Sequence, residues 1–340
     1  MTPETLMHQE AAEAAAAVAR LIERNHEDVL RWSSDLRTRP PSAVLTAARG
    51  SSDHAATYVR HLLETRTRTL CSSASPSVNS VYAADLRLQG TLMLAISQSG
   101  RSPDLLAQVE AARRGGAGVA ALVNDAASPL AALADRVLPL HAGPERSVAA
   151  TKSFICALAA GLQLAAHWSG EHELLNCLRA LPDQLAASFE LDWSPLTEAL
   201  AEANNLFVLG RGPGLAVAQE AALKFKETCA LHAEAYSAAE VRHGPMTLVG
   251  PGFPVLVFTQ DDASRSATLA LAQEFAERGA RVFCTDPEGP GALPVLAGAH
   301  AVSAPVLQIC SFYRAANALA LARGSDPDRP PHLNKITETV

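Results

Sequence analysis

The chain has 340 residues, with 28 Lys and Arg against 35 Asp and Glu and a formal net charge of −7. At 48% hydrophobic and 19% charged it reads as an ordinary globular chain long enough for two sizeable cores, which argues against disorder and against membrane spanning. The acidic balance also argues against general nucleic-acid binding, because a phosphate backbone calls for clustered Lys and Arg. The start, Met1-Thr2-Pro3-Glu4-Thr5, lacks the basic and apolar regions of a signal peptide. No apolar run reaches the ~18 residues of a spanning helix, so a cytoplasmic location is expected. The alanine-rich residues 11–20 predict a packing helix, unlike a basic recognition helix, in an arm covering 1–35. After it, Val44 to Arg49 forms a short apolar run ending in Gly50-Ser51-Ser52, with Asp53-His54 placed at a helix start. A second run, Thr91 to Ile96, leads into Ser97-Gln98-Ser99-Gly100-Arg101-Ser102 and then a helical pattern. Hydroxyls and backbone N–H groups at such a strand-to-helix junction suit a phosphate, held by neutral donors and the helix dipole. A loop that only caps its helix is the alternative at this point. The six cysteines are scattered with no CxxC pair, as expected of reduced core thiols. Neither a disulfide framework, a metal site nor a cofactor is expected.

Laying the two halves over one another reveals a repeat. Arg49-Gly50 matches Arg211-Gly212 and Gln98 matches Gln260, both at an offset of 162 positions. Each half continues with a helical pattern ending in Arg-Gly (Arg114-Gly115, Arg278-Gly279), an apolar run and an aspartate, Asp125 or Asp286. Strands alternating with helices predict parallel βαβ units. The expected fold is α/β, with two tandem doubly wound parallel-sheet lobes related by internal duplication. The expected boundaries are an arm over 1–35, a phosphate-binding lobe over 36–190, a second lobe over 191–325 and a tail over 326–340. The copies differ where function is expected to differ: Asp261-Asp262 follows the second Gln, and two carboxylates there would repel a phosphate. The anion is therefore assigned to the first lobe, on the rim shared by the Gly50 and Ser97 loops.

In the second half, Lys224 and Glu227 lie at i, i+3 and share a helical face, an arrangement that by itself is more often a solvated ion pair. His243-Gly244-Pro245 predicts an abrupt turn that fixes an imidazole on a loop.

Seven ordered motifs carry a resemblance: Gly50-Ser51-Ser52, Ser97-Gln98-Ser99-Gly100, Val148 to Lys152, Ala222 to Glu227, His232 to Tyr236, His243-Gly244-Pro245 and Asn334-Lys335. Over residues 40–340 the chain resembles the double sugar-isomerase (SIS) domain. Within that family it is similar to the isomerase half of glutamine-dependent glucosamine-6-phosphate synthase and to stand-alone glucosamine-6-phosphate deaminases of the alternative type. The resemblance implies that Ser97, Gln98, Ser99 and Ser102 bind phosphate and that Ser51, Ser52 and Val148 lie against the sugar. It further implies Glu227 as the base moving a proton between C1 and C2, and His243 as the ring-opening residue, contributed by a partner subunit of a homodimer. Lys224 is implied beside the reacting oxygens, and Lys335 as a tail lysine closing over the sugar. The chemistry suits these types: a carboxylate reaches two adjacent carbons, imidazole titrates near ~6.5, and an ammonium stabilises an enolate-like intermediate. Glu234 and Glu240 are expected to be supporting carboxylates.

Departures from the synthase pattern direct the choice of reaction. The synthase glutaminase nucleophile follows the initiator Met, where this chain has Thr2, so glutamine is not expected as the ammonia source. Ser75 to Tyr82 replaces a Ser-Glu-Phe-Arg-Tyr-like stretch, and Ala150 stands where synthases have Ser. The expected function is an aminosugar-phosphate deaminase acting on glucosamine 6-phosphate, with a small sugar phosphate as its only partner besides a second subunit. Three alternatives stand beside it: a fructosamine-6-phosphate deglycase, a galactosamine-6-phosphate deaminase, and a non-catalytic sugar-phosphate sensor. The sensor is expected to lack Glu227 or His243, or to carry a DNA-binding extension.

Overall fold

The computed structural model describes residues 5–335. They fall into two compact units: residues 16–145, 153–179 and 334–335 around one sheet, and residues 5–15, 146–152 and 180–333 around another. The chain opens with α1 (Leu6–Ala12) and α2 (Ala14–Thr38).

The first sheet comprises β1 (Val44–Ala47), β2 (Cys71–Ser73), β3 (Leu92–Ser97), β4 (Gly118–Val123) and β5 (Arg136–Pro139). All neighbours are parallel, in the order β2-β1-β3-β4-β5. Parallel strands need crossovers, supplied by α3 (Ser51–Leu62), α4 (Pro76–Ser80), α5 (Pro103–Arg114) and α6 (Pro129–Leu133). The strand sequences follow from this: β3 and β4 are covered on both faces and read as continuous apolar runs rather than alternating ones. Met93, Ala95, Val119 and Ala121 form the core with Leu105 and Val109 of α5. Pro103 sits at the first turn of α5, where its missing N–H costs nothing.

The chain then forms α7 (Lys152–Ser169), α8 (His172–Phe189) and α9 (Ser194–Leu200). The second sheet comprises β6 (Asn205–Gly210), β7 (His232–Ser237), β8 (Pro254–Val257) and β9 (Arg281–Cys284), again all parallel, in the order β7-β6-β8-β9. Its helices are α10 (Gly214–Cys229) and α11 (Arg265–Glu277), and α12 (Ala304–Ala322) follows β9. Val255 and Val257 pack on Leu271 and Phe275 of α11, as Met93 and Ala95 pack on α5. The repeat is exact at two elements: β8 begins 162 positions after β3 and α11 begins 162 after α5. Two tandem doubly wound parallel-sheet lobes are thus the fold. In both sheets strand order reverses beside the first strand of the repeat, β1 or β6, and ligands of such sheets bind beyond the carboxyl ends at that point.

All six cysteines are free and buried. Among the described residues no helix is long and apolar enough to cross a membrane.

Candidate functional site

At the switch point of the first sheet, the loops after β1 and β3 meet the starts of α3 and α5. Ser97, the last residue of β3, is buried, and its Oγ accepts the Gly100 N–H at 2.9 Å. The Ser99 Oγ accepts the Arg101 N–H at 3.3 Å. Gly100 has φ +64°, and a Cβ there would lie 2.2 Å from the Ser128 Oγ, so conformation and space both demand glycine. Gln98, Ser99 and Ser102 are partly exposed around this turn. Ser102 is the N-cap of α5 yet makes no capping hydrogen bond with its side chain. Gly50 (φ +53°) caps α3 without a side chain, leaving Ser51 and Ser52 partly exposed in its first turn. The arrangement gathers hydroxyls and helix-start N–H groups on one rim, donors of the type that suit an anion. Two arginines reach the same rim, a feature absent from the neutral-donor expectation. The Arg49 Nε donates to buried Asp104 at 2.6 Å, and Arg101 pairs with Asp125 at 2.7 Å. Each is balanced by its own carboxylate, so the loop stays close to neutral.

The equivalent rim of the second sheet satisfies itself. The Asp262 carboxylate accepts the Ser264 N–H at 2.8 Å and the Ser264 hydroxyl at 2.6 Å, and takes a 2.9 Å hydrogen bond from the Gln260 amide. Arg265, at the start of α11, pairs with Asp286 at 2.7 Å and Glu288 at 2.9 Å. Burial pushes the Asp286 carboxyl up, but its hydrogen bonds, above all from Arg265, outweigh this and hold it below the ordinary value. Carboxylates occupy the position that the hydroxyl loop holds in the first sheet.

The chemistry-bearing residues of the second-sheet unit lie elsewhere. Lys224 and Glu227 are near the C-terminal end of α10, which begins at the rim and runs back along the sheet, so Glu227 is roughly 20 Å of helix from Gly214. The Lys224 Nζ donates to the Glu227 Oε2 at 2.5 Å and lies 3.3 Å from the Glu220 Oε1. Lys224 and Glu220 are buried, whereas Glu227 keeps 22% side-chain exposure. Burial pulls the Lys224 ammonium down, but Glu220 and Glu227 overcome it and leave its pKa raised. His243 is exposed on a single 3₁₀ turn that Gly244, at φ +138°, joins to the next. Glu234 accepts the Tyr236 hydroxyl at 3.0 Å on β7.

Val148 lies in a segment bound from two sides within its own unit. Glu10 of α1 accepts the N–H groups of Arg146 and, at 3.2 Å, Ser147. The Val148 N–H donates to the Asp328 carbonyl at 3.1 Å, while the Asp328 carboxylate accepts the Leu6 and Met7 N–H groups at 2.8 and 2.7 Å. Lys152 is buried and pairs with Glu13 at 2.5 Å. In the first-sheet unit, the Lys335 Nζ lies 3.1 Å from the buried Glu145 carboxylate, which also accepts the Ser153 N–H and hydroxyl. Among the described residues, no group of three or more His, Cys, Asp or Glu is placed to hold a metal ion.

A family model for the SIS domain matches residues 39–167 and 199–288. The chain belongs to the SIS family. This SIS protein is 33% identical over 311 residues to a glutamine–fructose-6-phosphate aminotransferase of Zymomonas mobilis, a match covering 86% of the chain and 51% of the relative. It thus spans about half the length of the curated relatives it matches. Among solved structures it is similar to a protein of Silicibacter pomeroyi DSS-3 described as a candidate phosphosugar isomerase, with 47% identity, a TM-score of 0.91, and coverage of 95% of this chain and 100% of that one. A glucosamine-6-phosphate deaminase from Thermotoga maritima shares the fold at 22% identity, with a TM-score of 0.80 and coverage of 98% and 100%.

Sequence reasoning on the SIS protein missed Glu10, Asp104, Glu145 and Glu220. Glu220 carried a usable signal, since it precedes Lys224 by four positions and so shares its helical face. The others are joined to their partners only by the fold.

Proposed function

We propose that this SIS protein is an aminosugar-phosphate isomerase of the deaminating kind, converting glucosamine 6-phosphate and water to fructose 6-phosphate and ammonia. The observation that carries the proposal is the buried Lys224 held between two carboxylates, one of them, Glu227, partly open to solvent. A solvated surface pair would not be buried in this way.

In this reading Ser97, Gln98, Ser99 and Ser102 hold the phosphate, and Ser51, Ser52 and the Val148 segment lie against the sugar. His243, contributed by the partner subunit of a homodimer, opens the ring by moving a proton between the ring oxygen and the C1 hydroxyl. Glu227 takes the C2 proton and returns it to C1, while Lys224 and Lys335 stabilise the negative charge that develops. The product is an imine at C2. Water adds there, ammonia leaves, and fructose 6-phosphate remains. The exposure of His243 on its turn and the pairing of Lys335 with Glu145 support these roles.

The test is ammonia release from glucosamine 6-phosphate, galactosamine 6-phosphate and a fructoselysine phosphate, with Glu227→Gln as control. Turnover of glucosamine 6-phosphate is expected, and Glu227→Gln should abolish C2 proton exchange with little change in ligand affinity. Turnover of the fructoselysine phosphate alone would make the protein a deglycase, and unimpaired exchange in Glu227→Gln would remove Glu227 as the base.

A further inference from the structure

The chain contains four lysines, Lys152, Lys224, Lys226 and Lys335, against 24 arginines. Its general positive charge is thus carried by arginine. Lys224 is buried at the centre of an alternating chain of groups. From the solvent side inward run Glu227, the Lys224 ammonium 2.5 Å away, Glu220 at 3.3 Å, and the Tyr313 hydroxyl of α12, which donates to the Glu220 Oε1 at 3.0 Å. Glu220 and Tyr313 are fully buried.

The proposed chemistry uses Glu227 and Lys224 but gives no task to Glu220 or Tyr313. Charge bookkeeping supplies one. When Glu227 takes a proton from C2 it becomes neutral, and Lys224 loses one of its two counter-charges as negative charge appears on the substrate. A buried ammonium without a remaining carboxylate would give up its proton. Glu220 does not exchange protons with substrate in this scheme, so it can remain the fixed counter-charge throughout. A carboxylate with no exposure needs hydrogen-bond donors to stay ionised, and the Tyr313 hydroxyl is one, bonded to the oxygen nearest Lys224.

We propose that Tyr313 is a positioning residue that acts through Glu220, keeping Glu220 ionised so that Lys224 stays protonated and in place while Glu227 gains and loses its proton. The inference rests on Glu227 being the base. Of the other elements packed on α10, β6 has no titratable residue, and β7 carries His232 together with Glu234 and Tyr236, which bond each other. Glu220 and Glu227 are the carboxylates that hold the Lys224 pKa up against its burial.

With only four lysines, protein labelled with [ε-¹³C]lysine gives few resonances, and Lys224→Arg identifies that of Lys224. Tyr313→Phe, which removes one oxygen from a packed ring, is expected to lower the pH at which the Lys224 signal titrates by about one unit. It should also reduce kcat for ammonia release by about tenfold and leave KM within about twofold. Glu220→Gln should move the titration further in the same direction, and serves if Tyr313→Phe does not fold. A Lys224 titration unchanged in both variants, or a lowered melting temperature with kcat intact, would overturn the inference. Wild-type protein that releases no ammonia from any of the three phosphates would instead overturn the proposed function, while the titration, which needs no substrate, still decides whether Tyr313 controls the charge on Lys224.

Discussion

At the scale of single residues, the loop between β3 and α5 shows how little freedom its backbone leaves. Gly100 needs a left-handed backbone and tolerates no Cβ beside Ser128, and its N–H is the donor that orients Ser97. Gly100→Ala is expected to cost about 1–3 kcal/mol through backbone strain alone, more if Ser128 cannot move. The same variant should weaken binding of the sugar phosphate, because the hydroxyls of Ser97 and Ser99 are set by this turn. Thermal unfolding and a binding titration check the two effects; a variant with wild-type affinity would remove the loop as the anion site. Spacing along one helix paired Lys224 with Glu227, a local relation of three positions, while the resemblance to the SIS family alone pointed to them as site residues. Neither found Tyr313 or Asp104, which lie 93 and 55 positions from Glu220 and Arg49. Such contacts carry no spacing signature.

At the scale of elements, α1 does more than pack. This seven-residue helix presents Glu10 to the N–H groups of Arg146 and Ser147, and its first N–H groups are capped by Asp328. It therefore ties the Val148 segment to the stretch around Asp328. Glu10→Ala would leave two N–H groups without their acceptor, at a cost of about 1–3 kcal/mol. The expected signature is a lower melting temperature together with a KM for sugar phosphate that rises more than kcat falls. A melting shift with unchanged kinetics would confine Glu10 to stability. The alanine-rich residues 11–20 predict a single packing helix, whereas the chain breaks at Glu13 between α1 and α2, and Glu10, which holds the loop, precedes that stretch. The element-level repeat, by contrast, was legible. Its landmarks Arg49/Arg211 and Gln98/Gln260 sit at strand ends, where the fold fixes the spacing.

At the scale of the whole molecule, two groups of titrating residues set the response to pH. Burial lowers the pKa of His141, reinforced by Arg24 and Arg20, and burial likewise lowers that of His167, reinforced by His26, Arg37 and Arg179. A histidine depressed in the folded state stabilises it above the unfolded value of about 6.5 and loses that contribution as pH falls below it, because the unfolded chain then binds more protons. The melting temperature should fall between pH 7 and pH 5, and His141→Gln with His167→Gln should flatten this slope. A second loss belongs at lower pH, where Asp286, held below its ordinary value, becomes protonated and Arg265 loses its partner. The thiols behave as a set. Burial pushes Cys71, Cys284 and Cys310 up to about 12 and Cys229 up to about 11. The native protein should react with no thiol reagent, and six equivalents should appear on unfolding; rapid native labelling would contradict the burial of these groups.

The sequence by itself determined the duplicated α/β architecture, the strand-to-helix position of the Ser97–Ser102 loop, and the shared helical face of Lys224 and Glu227. Each of these is written in local periodicity, in strand-end punctuation, or in a copy set beside its copy. Tertiary structure alone decided that the second rim would fill itself with Asp262, Arg265 and Asp286, and that Lys224 would be buried with Glu220 and Tyr313 behind it. It also decided that α1 would hold the N–H groups of Arg146 and Ser147. The physical reason is common to all three: a buried charge or a free N–H must find a partner within about 3 Å, and only the folded chain determines which distant residue comes that close.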